Sequence, residues 1–236
     1  MKCILAVGLM LLIAAPAVAD IIIDSFDQGP HEAHHTGAGG AQISTYTGVG
    51  PIGGERKIRA LNMFPFGGQQ SRVTVDTVAP GTCEFWGTDS NAQRSINWGQ
   101  TNSPDASCSV QLNADLTNAL AFEIDFVSLS SVSPLSAGIY LRCNYGEGGQ
   151  DDFLVLLDWS LPPGPQTVSI PIGDFGMTAA DLADVDGVRM YWNSADLSVM
   201  SEFRFTGAAP PIPEPSGLGV LALGAAGVLG LRRKRF

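Results

Sequence analysis

The sequence predicts an all-β fold, an antiparallel β-sandwich. Apolar and polar residues alternate with a period of two over several short runs, clusters of Gly and Pro separate those runs, and a single eight-residue stretch has a helical pattern. Alternation of that period buries one face of a strand and leaves the other in water. Many such strands joined by tight turns pack best as two antiparallel sheets, face to face.

In chain order, the first element is not part of the sandwich. MKCILAVGLMLLIAAPAVAD places Lys2 before an apolar core from Ile4 to Ala15, and Ala17-Val18-Ala19 before Asp20. That is the layout of a cleavable secretory signal over residues 1–19, with Ala17 and Ala19 framing the cut. The sandwich is expected over residues 20–207, a length that suits one domain with a sizeable core. In LAFEIDF, Leu120, Phe122, Ile124 and Phe126 alternate with Ala121, Glu123 and Asp125. The same alternation marks Ile139, Leu141 and Cys143; Phe153, Val155, Leu157 and Trp159; Val168, Ile170 and Ile172; and Val188, Met190 and Trp192. Ser133-Pro134, Gly146 to Gly149 and Pro162-Pro163-Gly164 supply turns between them. Thr178 to Val185, TAADLADV, is the helical stretch, with Thr178 as its cap.

The chain ends in a Pro-rich linker, 208–212, followed by PEPSGLGVLALGAAGVLGLRRKRF. Its uncharged run, residues 216–231, would reach roughly 24 Å as a helix against about 30 Å of hydrocarbon, so it holds a membrane only transiently. Arg232, Arg233, Lys234 and Arg235 abut it and resist translocation. Pro213-Glu214-Pro215, the short apolar helix and the basic cluster together resemble the PEP-CTERM sorting signal of exported proteins in Gram-negative bacteria that make extracellular polysaccharide. The resemblance implies export through the inner membrane by the secretion machinery and processing by exosortase, a membrane-embedded transpeptidase-like enzyme. It also implies delivery to the cell surface, outer envelope or extracellular matrix.

Charge excludes one class of partner. Residues 20–207 hold 22 of the 23 acidic side chains and only 8 of the 13 Lys and Arg, a surface that repels phosphate backbones, so no nucleic-acid partner is expected. Cys83, Cys108 and Cys143 follow the signal. Export permits a disulfide, and Cys83 with Cys108 is the expected pair because each sits beside a turn-rich segment. Cys143 alternates with apolar residues and reads as buried.

Catalytic motifs are few. His31 to His35, HEAHH, satisfies H-E-x-x-H, but Pro30 precedes it and Thr36-Gly37-Ala38-Gly39-Gly40 follows it, so no long helix is available; a solvated loop is expected, and no catalytic zinc. The sequence lacks a Gly-x-Ser-x-Gly elbow. Asp24 and Asp27, or Glu147, Asp151 and Asp152, are candidate oxygen ligands for a structural calcium ion; no other cofactor is implied.

Strand alternation displays a chemistry of its own. If Ile139, Leu141 and Cys143 face the core, Tyr140, Arg142 and Asn144 face outward; if Val188, Met190 and Trp192 face it, Arg189, Tyr191 and Asn193 do. Tyrosine stacks on the C–H faces of sugars while Arg and Asn bond hydroxyls, so adjacent copies would form a wet saccharide platform with the two tyrosines bracketing one ring. The body also resembles the jelly-roll modules related to galactose-binding and carbohydrate-binding domains. The resemblance rests on Phe26 and Asp27, Asp115 to Thr117, Ile170 to Phe175, and Leu182 to Val188. The closing strand ends in Phe203-Arg204-Phe205-Thr206-Gly207 rather than the Asp-Asn pair frequent in those modules. The resemblance implies a jelly-roll-like sandwich and a non-catalytic structural or carbohydrate-binding role, with extracellular polysaccharide as the partner. The alternative is a secreted polysaccharide hydrolase or lyase using an acidic pair.

Overall fold

The computed structural model describes residues 20–207 except positions 38, 63–67, 89–91, 103–104, 130–135, 144–150, 158–161 and 194–195. The expected signal helix, the linker and the sorting tail with its hydrophobic helix lie outside the described residues, as do Asn144, Glu147 and Trp159.

Two antiparallel sheets form the sandwich. One runs β11 (Gln166–Pro171), β8 (Ala121–Leu129), β13 (Asp196–Thr206), β6 (Cys83–Gly87), β5 (Gln70–Val75), β2 (His31–Thr36), with β1 (Ile21–Asp24) also pairing with β13. The other runs β10 (Asp151–Leu157), β9 (Ser136–Cys143), β12 (Val185–Asn193), β7 (Ala92–Gly99), β4 (Glu55–Asn62), β3 (Gly40–Thr47). Taken from the same end, the strands at each position are consecutive in the chain: β11 and β10, β8 and β9, β13 and β12, β6 and β7, β5 and β4, β2 and β3. The chain therefore crosses between sheets repeatedly, and each crossing brings an apolar face against its neighbour's.

The alternating runs point inward as expected. Phe122, Ile124 and Phe126 of β8, Ile139, Leu141 and Cys143 of β9, and Val188, Met190 and Trp192 of β12 are buried in the core. Phe203 at the centre meets Phe26 and Trp98 edge to face, with ring centroids 5.3 and 5.2 Å apart. Such aromatic pairs add about 0.5–1.5 kcal/mol each beyond their burial.

A charge is sealed into one end of this core. Arg56, on the inward side of β4, donates from Nη1 to Asp24 Oδ1 and Oδ2 at 2.8 and 2.6 Å, and from Nη2 to the carbonyls of Gln28 and Gly29. Its Nε donates to His31 Nε2 at 3.4 Å. Asp24 accepts in addition from Trp98 Nε1 at 2.8 Å and from the backbone N–H of Phe26. All five guanidinium protons and both carboxylate oxygens are thereby engaged, which is what makes a buried ion pair tolerable. The carboxylate of Asp24, a candidate calcium ligand, is thus taken up by Arg56 and Trp98. Asp27 accepts from Ser25 Oγ.

Three other expectations are corrected. HEAHH is not a loop but strand β2, paired with β5 from His31↔Val75 to Thr36↔Gln70. Ala33 is buried on its inner side, and a strand sets His31 and His35 about 13 Å apart, too far to share an ion. The helix is shorter than expected: α1 spans Ala179–Leu182, capped reciprocally by Thr178 and Asp181, and Val185 already opens β12. Among the described residues no helix is long and apolar enough to cross a membrane. Finally, Cys83 and Cys108 do not pair. Cys83, Cys108 and Cys143 are all buried, and none of them is in a disulfide. Cys83 lies inside on β6, whereas the Cys108 thiol is fixed at the ends of β4 and β7 in the other sheet, donating to the Glu55 and Asn97 carbonyls. Burial pushes the Cys108 thiol up to about 12, so it is neither nucleophile nor ready disulfide partner.

Candidate functional site

The outward face of the six-stranded sheet carries the candidate site. β9 and β12 are hydrogen-bonded neighbours in the register Arg189↔Tyr140 and Tyr191↔Gly138, so the two displayed sets fall on one surface. β10 continues it on one side, with Leu154 opposite Tyr140 and Asp152 opposite Arg142. β7 and β4 continue it on the other, with Asn97 and Lys57 in line with Arg189 and Ser95 and Arg59 in line with Tyr191.

At its centre Arg189 lies over both tyrosine rings, its guanidinium carbon 5.4 Å from the Tyr140 centroid and 5.8 Å from that of Tyr191. The rings themselves stand 5.5 Å apart, tilted by 40°. Gly138 permits this: a Cβ there would come within 2.4 Å of the Tyr191 ring. Arg189 Nη1 donates to Asn102 Oδ1 at 3.0 Å. Arg142 forms a two-pronged pair with Asp152, at 2.7 and 3.0 Å, and donates to the Thr101 carbonyl. The segment after β7 thus crosses this end of the face, and it also receives Lys57 Nζ on the Ser107 carbonyl and Arg59 on Asp105.

Two expectations change in consequence. The face is not uniformly wet: Tyr191, Arg189 and Arg142 are 7, 9 and 8% exposed, covered by the segment after β7 and by one another. The tyrosines do not bracket a sugar either, since slotting a ring between two aromatic planes needs roughly 7–8 Å. The surface left open on this face is the half-buried Tyr140 with the adjoining Leu154 and Leu156, which are 38 and 64% exposed. Among the described residues, Arg59 Nε, Arg189 Nε and Asn193 Oδ1 are buried with no hydrogen-bond partner. Asn144, expected on this face, lies outside the described residues.

Arg59, Asn102, Gly138 and the two leucines escaped the sequence reading, and Asp152 entered it as a candidate calcium ligand rather than as the partner of Arg142. For β10 the signal was available: placing Phe153 and Val155 inward obliges Leu154 and Leu156 to face water, an apolar excess with no structural use. Nothing local marks Asn102, which arrives from a loop.

The other sheet's outer face differs in kind. Arg204 is ringed by Glu123, Asp125 and Glu202, with Glu123 Oε2 at 2.6 Å and Glu202 Oε1 at 2.7 Å. Burial opposes ionisation of Asp125, but hydrogen bonds from Arg204 and Thr167 outweigh it and hold the carboxyl below its ordinary pKa. A general acid needs the opposite shift. Among the described residues no three His, Cys, Asp or Glu side chains are placed to hold a metal ion.

Residues 211–235 match the family described as the PEP-CTERM protein-sorting motif. The chain carries a PEP-CTERM sorting motif. That motif indicates export and sorting to the cell envelope. No curated protein matches the chain. Its structural neighbours include carbohydrate-binding modules. A family 11 module of a cellulosomal cellulase of Clostridium thermocellum is 14% identical, covers 81% of this chain and 96% of its own, and has a TM-score of 0.42. A family 30 carbohydrate-binding module is 16% identical, with 89 and 97% covered and a TM-score of 0.40. An exo-β-agarase is 14% identical over 84% of this chain and 26% of its own, at a TM-score of 0.33.

Proposed function

We propose that this is an exosortase-sorted, non-catalytic carbohydrate-binding protein of the cell surface or extracellular matrix, and that it holds polysaccharide on the outward face of its six-stranded sheet. The stack of Tyr140, Arg189 and Tyr191, flanked by exposed Leu154 and Leu156, is the observation that carries this reading. Aromatic and aliphatic surface receives the C–H faces of a sugar, while buried donors and acceptors without partners gain bonds from its hydroxyls.

The test is affinity electrophoresis of the purified protein through gels containing soluble polysaccharides, with and without calcium. Retardation that Tyr140→Ala reduces supports the reading, and equal mobility in every gel sinks it. The sorting half is tested separately: intact-mass analysis of exported protein should find residues 1–19 and the terminal Arg-rich cluster removed, and retention of Met1 or Arg235 counts against processing at either end.

A further inference from the structure

The charge on this face is out of keeping with the molecule. Lys57, Arg59, Arg142 and Arg189, half of the eight cations between residues 20 and 207, stand together on it, in a region that carries 22 acidic residues. Of the other four, Arg56 and Arg94 are sealed inside, Arg204 is ringed by its three carboxylates, and Arg72 lies over the Trp86 ring on the seven-stranded sheet. Arg204 is over-neutralised; Arg189 is not.

Among the described residues the carboxylates of the six-stranded face already have neighbours of their own. Glu55 accepts from the Ser109 N–H and hydroxyl at 2.7 and 2.5 Å and lies 3.6 Å from Lys57. Asp152 is held by Arg142. Asp105 stands 3.4 Å from Arg59 with its side chain 58% exposed, a loose surface contact. Among the described residues Arg189 has the neutral Asn102 oxygen and two aromatic rings as its partners. Burial lowers its pKa and the nearby Arg59 charge lowers it further, against favourable contributions from Tyr140, Tyr191 and Asp152. A cation nine-tenths buried, with Nε unpartnered and a second guanidinium near it, is stabilised best by an anion that reaches both.

Building on the saccharide reading above, we infer that the ligand is an anionic, uronate-bearing polysaccharide, its carboxylate received by Arg189 and Arg59 while the sugar ring lies on Tyr140 and Leu154. A planar carboxylate suits the guanidinium fork, and on this face Arg189 and Arg59 offer two such forks beside the half-buried Tyr140 and the exposed Leu154. The acidic remainder of the surface repels a polyanion, so binding is confined to the sugar whose carboxylate reaches this pair.

The experiment compares polygalacturonate and alginate with their carboxyl-reduced counterparts, by calorimetric titration of the purified full-length protein. At least tenfold tighter binding of a native polymer than of its reduced form is expected. Arg189→Gln should erase that preference and keep residual binding to the reduced polymer through Tyr140. Arg59→Gln, at the rim, serves as the second variant should Arg189→Gln fail to fold, and should narrow the preference at an unchanged melting temperature. Equal binding of native and reduced polymers overturns the anionic assignment while leaving the saccharide reading intact. Binding of dextran sulfate alone overturns the carboxylate assignment, and binding of no glycan overturns both readings.

Discussion

Arg56 and Arg189 are both buried arginines of the six-stranded sheet, and they sit on opposite faces of it. Arg56 points into the sandwich and has a partner for each of its five protons, including a carboxylate that Trp98 also holds. Arg189 points outward, is 9% exposed, and has one amide oxygen, two aromatic rings and a bare Nε. The first arrangement is complete as it stands and serves the fold. The second is incomplete, and its remaining bonding capacity faces the surface where a ligand can lie. Burial alone does not distinguish a structural cation from a binding one; the list of unfilled partners does.

The largest effect is expected where the network is complete. Asp24→Ala leaves the Arg56 charge buried without its counter-ion and Trp98 Nε1 without an acceptor, and should destabilise the protein by about 3–5 kcal/mol in urea denaturation. A loss below about 1 kcal/mol would mean that water reaches Arg56 and that the contrast with Arg189 is false. Tyr191→Ala comes next. Its ring is 7% exposed and lies across Gly138, so truncation should cost about 2–3 kcal/mol, less than a core aromatic because the site opens to solvent. An unchanged midpoint would show that the stack is not held from beneath.

Acid sharpens the comparison at an intermediate scale. Burial, helped by the Arg56 charge, lowers the His31 pKa from 6.5 to about 4. The unfolded chain protonates this histidine as pH falls below about 6.5 and the folded one resists until about 4. The stabilisation is therefore whole above that window and is lost as pH falls through it. Because His31 is only part-buried, the loss is put at about 2 kcal/mol after discounting for solvent screening. His31→Asn should flatten the slope of stability between pH 6.5 and 4.5; an identical slope in the variant would assign it elsewhere.

The face was more legible than the network, for a physical reason. Period-two alternation fixes which side of a strand a residue takes, so Tyr140 with Arg142 and Arg189 with Tyr191 could be assigned to outward faces from their apolar neighbours alone. The sandwich followed from the same rule applied to β8 through β12. That β9 and β12 are adjacent is a matter of long-range pairing, on which local pattern is silent. Arg56 shows the limit plainly: the partners that hold it inside are distant in the chain, Asp24 32 residues earlier and Trp98 42 residues later, so no local pattern announces the network. HEAHH misled in the opposite direction, as its flanking Pro and glycines argue against a helix and equally permit the strand that pairs with β5.

The smallest change in stability and the most telling change in binding belong to one substitution. Tyr140 is half-buried, its ring backed by Arg189 and Tyr191 and its open side beside Leu154. Tyr140→Ala removes the aromatic surface offered to a sugar but leaves Arg189 its contacts with Tyr191 and Asn102. Removing an aromatic–sugar contact of this kind should weaken polysaccharide binding several-fold, on the order of 1 kcal/mol, with a melting temperature within about 2 °C of the parent. Tyr140→Phe separates the ring from its hydroxyl: full affinity in that variant assigns the contact to the ring face, and affinity as low as the alanine variant assigns it to a hydrogen bond. If Tyr140→Ala lowers the melting temperature as far as Tyr191→Ala does, Tyr140 belongs with Arg56 among the parts that hold the fold, and the outward stack loses its claim to be a binding surface.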